Sequence, residues 1–114
     1  MPQKVLVIDD SPDIHVLLRA RLKDEPIVLH CAPSGAAGLA MAVDIKPDVI
    51  LLDVHMPEMN GYEVCRQLKS SAATINVPII FLTGADSTSE KIKGLELGAT
   101  DYVTKPFDPA ELTV

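Results

Sequence analysis

The sequence predicts an α/β fold: a three-layer, doubly wound, five-stranded parallel sheet in the flavodoxin-like order 2-1-3-4-5. Three observations carry that expectation. Short apolar runs alternate with helix-period segments five times along the chain. The runs are continuous rather than alternating, as in strands buried on both faces by helices. The 114 residues suffice for one compact domain with a core that needs no disulfide or metal staple. Right-handed crossovers then place the helices on both faces of the sheet. The order is the common one for five strands of this kind, not a property read from the residues.

Val5, Leu6, Val7 and Ile8 form an apolar run too short for a helix and rich in β-branched residues. Ser11 and Pro12 supply an N-cap and a proline at the first helical position, and Ile14, Leu17, Leu18 and Leu22 follow at helical spacing. Ile27, Val28 and Leu29 make the second strand. Ser34 opens a small-residue helix with Ala36, Leu39, Ala40 and Val43 on one face, and Pro47 stops it. Val49, Ile50, Leu51 and Leu52 are the third strand. A turn-rich loop from Met56 to Gly61 leads into a helix carrying Val64, Cys65 and Leu68. The fourth strand runs from Val77 to Leu82, with Pro78 tolerable only near its start.

Ser87, Thr88, Ser89 and Glu90 form a capping box for a helix that buries Ile92 and Leu95 and ends near Gly98. Gly94 and a small apolar surface make it the helix expected to be least stable. The fifth strand lies around Tyr102 and Val103. Asp108, Pro109, Ala110 and Glu111 begin a last helix, for which only residues 109–114 remain, so it is expected to be truncated.

Composition excludes several classes of function. Ten basic against sixteen acidic side chains leave a net charge of −6, which argues against nucleic-acid binding by this domain on its own. Cys31 and Cys65 show neither CxxC nor CxxH spacing and read as two reduced thiols. No apolar run approaches the roughly 18 residues of a membrane span, and the start lacks a secretory pattern. The expected location is the cytoplasm.

Polar groups follow four of the five apolar runs: Asp9 and Asp10, Asp53, Thr83, and Thr104 with Lys105. In an open parallel sheet these ends share one edge, and the binding crevice falls at the switch point between strands one and three. Three carboxylates, a hydroxyl and an ammonium are therefore expected in one pocket. Carboxylates so close repel unless a cation sits among them, and a hard cation such as magnesium takes oxygen ligands. His15, His30 and His55 lack the paired spacing of a zinc site, and the glycine-rich nucleotide loops are absent. The set suits phosphoryl transfer to an aspartate.

These residues resemble the receiver domain of bacterial two-component response regulators over essentially the whole chain. The matching features are Asp9-Asp10, the run from Leu51 through Asp53 to Gly61, Phe81-Leu82-Thr83-Gly84, and the run from Gly98 to Phe107. The resemblance implies that Asp53 is the phosphoacceptor for a phosphoryl group from a sensor histidine kinase or phosphotransfer protein. It implies Mg2+ held by Asp9, Asp10, Asp53 and the backbone carbonyl of His55, with Asp9 acting partly through water. Lys105 would pair with the phosphoryl oxygens, aimed by a cis bond to Pro106. Thr83 would be the switch hydroxyl and Tyr102 the switch aromatic.

The surface so switched would comprise the fourth helix, fifth strand and fifth helix, the face of a homodimer or partner contact. His55 and Ala85 lie where the family tunes phosphoaspartate lifetime, and His55 is expected to shield the phosphoryl group. The domain is expected to span residues 1–114, with any output domain beyond Val114. Two other readings use the same residues. A phosphorylation-independent interaction domain could keep the fold, and a haloacid-dehalogenase-type phosphatase also uses an aspartate nucleophile. The latter wants Asp-x-Asp, whereas Asp53 is followed by Val54 and His55.

Overall fold

The computed structural model describes residues 3–82 and, for the backbone, 83 and 101–104. Its elements in chain order are β1 (Gln3–Ile8), α1 (Pro12–Leu22), β2 (Ile27–Ala32), α2 (Gly35–Ile45), β3 (Val49–Asp53), α3 (Gly61–Lys69), β4 (Ile79–Thr83) and β5 (Asp101–Thr104). The helices expected from Ser87 and from Asp108, with Ala85, Lys105 and Pro106, lie outside the described residues.

The five strands form one sheet in the order β2-β1-β3-β4-β5, and every neighbouring pair is parallel. The expected order holds. Successive side chains along each central strand point to opposite faces, and both faces are covered. Leu6 and Ile8, Ile50 and Leu52, and Ile79 and Phe81 pack with Val64, Cys65 and Leu68 of α3 and Ala42 of α2. Val5 and Val7, Leu51 and Leu82 pack with Leu18 and Leu22 of α1. Continuous apolar runs thus serve two separate cores, one on each side of the sheet.

Element ends differ from expectation by small amounts. β2 runs on through His30 and Cys31 to Ala32 because pairing with β1 continues to Ile8. β4 starts at Ile79, so Pro78 precedes the strand and only its carbonyl is used, accepting from the Ile50 N–H. Lys46 closes α2 in the left-handed conformation, with φ 55° and its N–H on the Ala42 carbonyl.

The face of α2 needs a correction. Leu39 packs partly against the core, but Ala36, Ala40 and Val43 are exposed. The buried positions are Gly35, Gly38 and Ala42. The cause is distance: α2 lies so close to β1 that a Cβ on Gly38 would stand 2.5 Å from Cδ1 of Ile8, with two more Ile8 atoms inside 3.0 Å. Gly38→Ala is therefore expected to cost about 1–3 kcal/mol by overpacking. A urea titration would register this as an earlier midpoint, and an unchanged midpoint would mean that Ile8 has room to move.

Candidate functional site

The β1–α1 turn carries the first two acids. Asp9 is completely buried and Asp10 exposed. Asp9 is fixed at its own N–H, which donates to the Ala32 carbonyl at 3.1 Å, and at Oδ1, which accepts the Ser11 N–H at 2.9 Å. Its carbonyl accepts a hydrogen bond from Nε2 of His15 at 2.7 Å. Ser11 sits at the N-cap with Pro12 behind it, but its hydroxyl makes no cap bond. The turn is held by Asp9 and His15 instead.

Asp53 ends β3 and is 6% exposed. It reaches the same place because β1 and β3 are adjacent and in register, Ile8 beside Leu52. Carboxylate oxygens of Asp9, Asp10 and Asp53 all lie within 4.8 Å of one another. The sequence-predicted acid cluster is present. Like charges at this spacing repel one another, and three hard oxygen donors fit magnesium better than a softer metal.

The loop after Asp53 is tied back onto the strand. The Val54 N–H donates to the Leu82 carbonyl, and the Val54 carbonyl accepts from the Gly61 N–H at 2.8 Å. Between them the Met59 N–H bonds the Pro57 carbonyl around Glu58, whose φ is 69°. That is a γ-turn of the rare, strained kind. Asn60 caps α3 with its side chain on the Glu63 N–H at 3.0 Å. His55, two residues past Asp53, is exposed.

Thr83 closes β4 in register with Thr104, and Tyr102 lies opposite Phe81 in the β4–β5 pairing. These backbones place both residues on the strands expected of them. Cys65 is buried and Cys31 half-buried, neither in a disulfide. Burial pushes both thiols up, against the opposing pull of Lys69 on Cys65 and Arg19 on Cys31. At neutral pH both therefore stay protonated, and thiolate chemistry has no part in this site.

Sequence reasoning read His15 only as a histidine without zinc-site spacing, and Gly61 as a turn residue at the end of a family-like run, with no role assigned to either. The signal for His15 was its place in the first turn of α1, within reach of the strand end that precedes it. For Gly61 it was Asn60 before it, the cap that starts a helix just where the loop returns to β3.

The sequence matches the response regulator receiver domain family over residues 5–114. The chain belongs to that family. Receiver domains are signalling modules, not metabolic enzymes, and the match sets aside the phosphatase reading. This receiver domain is 43% identical over 112 residues to the response regulator PleD of Caulobacter vibrioides, covering 98% of the chain and 25% of that protein. The chain thus spans about a quarter of the length of the curated relatives it matches.

Its fold is similar to that of the chemotaxis protein CheY4 of Vibrio cholerae. The TM-score is 0.92 at 34% identity, covering 99% of this chain and 94% of that one. The receiver domain of the sensor histidine kinase PA1611 from Pseudomonas aeruginosa, with a magnesium ion coordinated in its active site cleft, gives a TM-score of 0.89 at 28% identity. That match covers 99% of this chain and 93% of the other. Among the described residues of this receiver domain, no helix is long and apolar enough to cross a membrane.

Proposed function

We propose that Asp53 is the phosphoacceptor of this receiver domain and that the unit formed by residues 1–114 passes its state to a partner. The observation that carries the reading is the meeting of Asp53 with Asp9 and Asp10, oxygens within 4.8 Å, at the carboxyl edge where the strand order reverses. A carboxylate oxygen of Asp53 attacks the phosphorus of a phosphohistidine. The new P–O bond forms as the P–N bond breaks, and the leaving imidazole takes up a proton. The donor is a sensor histidine kinase or a phosphotransfer protein.

Asp9, Asp10, Asp53 and the backbone carbonyl of His55 would hold Mg2+. When bound, that ion neutralises the acid cluster and draws the phosphoryl oxygens toward it. Lys105 neutralises the charge gained by Asp53, and Thr83 donates its hydroxyl to a phosphoryl oxygen. The phosphoryl group adds about 1.5 to 2 negative charges. The bonds from Thr83 and Lys105 to the phosphoryl oxygens form only in that state, so the two-state surface around Tyr102 shifts toward the form a partner or second copy binds. Such coupling is typically worth about 1–3 kcal/mol. Exposed His55 overhangs the phosphoryl group and lengthens its life. The proposed setting is the cytoplasm.

Intact mass after incubation with acetyl phosphate and magnesium tests the reading. The wild type is expected to gain one phosphoryl group, and the gain is expected to vanish in EDTA. No gain in the wild type would favour the phosphorylation-independent interaction domain. His55→Ala is expected to shorten phosphoaspartate decay severalfold in the same assay, and equal lifetimes would remove His55 from the account.

A further inference from the structure

We propose that His15 is a positioning residue for the Asp9–Asp10 pair, an inference that rests on the metal-binding reading of that pair. The acids sit in a turn of three residues, 9–11, between β1 and α1. Asp10 is exposed, so burial does little to orient it. What orients it is the peptide unit joining it to Asp9, which is rigid and planar. His15 holds the carbonyl of that unit at 2.7 Å through Nε2. Fixing the carbonyl fixes the plane, and the plane fixes where the Asp10 Cα and its side chain begin.

The ring chemistry agrees. A carbonyl only accepts, so Nε2 carries the hydrogen in this contact. Nδ1 is buried without a hydrogen-bond partner among the described residues. Buried polar atoms without partners are rare and call for a reason. Here the reason is the other nitrogen. The helix's own cap supplies no substitute, since the Ser11 hydroxyl makes no cap bond. His15 thus acts on Asp10 through the backbone, by its bond to the Asp9 carbonyl.

The test is Mg2+ titration by calorimetry on the full chain, with nitrogen-resolved NMR of the imidazole beside it. His15→Ala is expected to weaken Mg2+ binding about tenfold, in the range seen when groups that orient metal ligands are removed. His15→Gln, whose amide N–H can reach the same carbonyl, is expected to recover most of the loss. The wild-type ring is expected to show the Nε2–H tautomer.

A His15→Ala affinity within twofold of wild type overturns the proposal, as does an Nδ1–H tautomer or a Gln variant no better than Ala. Asp9→Asn separates the two levels. If it loses Mg2+ while His15→Ala does not, only the role of His15 falls. If the wild type itself takes no Mg2+, the reading of the site falls and this inference with it. Should His15→Ala fail to fold, the Gln variant decides: binding near wild type with the Nε2–H tautomer supports the role, and a tenfold loss overturns it.

Discussion

Asp53→Asn is expected to abolish phosphoryl uptake and, at the same time, to make the metal-free protein more stable. The first effect is the loss of the nucleophile: a carboxamide does not attack phosphorus, and uptake from acetyl phosphate falls by at least about a thousandfold. The second follows from the cluster. Three carboxylates with oxygens inside 4.8 Å repel one another when no cation is bound. At an effective dielectric of about 20, two charges at such a separation repel by about 3 kcal/mol. Asp10 is exposed, so water screens its share. A net gain of about 1–2 kcal/mol for the neutral isostere is expected in EDTA, read as a later urea midpoint. Magnesium reverses the order. A ligand at 100 times its Kd stabilises the wild type by about 2.7 kcal/mol, and the variant, lacking one of three carboxylates, gains less. A wild type that is the more stable in EDTA would show that the cluster does not strain the fold, and a variant that stays the more stable in Mg2+ would show that the ion binds the cluster too weakly to reverse the order.

The same cluster shows what could be read from the sequence and what could not. Its three acids were legible because each follows an apolar run, and parallel strands put all such ends along one edge. The alternation announced a parallel sheet, whereas its strand order was the common one for five such strands and not legible in the residues. The buried face of α2 was not legible. Apolar spacing registers side chains, and this helix approaches β1 through Gly35 and Gly38, which have none. The end of β2 was obscured because β2 is an edge strand, and its half-exposed positions admit His30 and Cys31. His15 escaped notice because it acts on a backbone carbonyl, a partner that no residue spacing encodes. Gly61 was visible as a turn residue, but the sequence could not say what its missing Cβ leaves room for.

That room is the backbone of Asp53, so Gly61→Ala is expected to damage the site more than its one methyl group suggests. A Cβ on Gly61 would stand 2.1 Å from the Asp53 carbonyl oxygen, and 2.9 Å from both the Asp53 carbonyl carbon and the Val54 Cα. These are backbone atoms, and no rotamer change can clear them. One of two elements must move. α3 resists, because Tyr62, Val64, Cys65 and Leu68 are buried and Asn60 pins its first turn. Past Asp53 the chain is held by the buried Val54 side chain, by the Val54 N–H on β4 and by the Gly61 N–H on the Val54 carbonyl, and the methyl group breaks into the last of these. The strand end is the part expected to yield. The cost is about 2–4 kcal/mol from overpacking against atoms that cannot rotate away. The carboxylate then moves by an amount on the order of 1 Å, and misplacement of that size slows a positioned reaction by about a hundredfold. Urea unfolding and the rate of phosphoryl uptake per folded molecule separate the two effects. Lost stability with an unchanged rate would mean that α3 gives way and the end of β3 holds, and Gly61 would then serve the fold without placing Asp53.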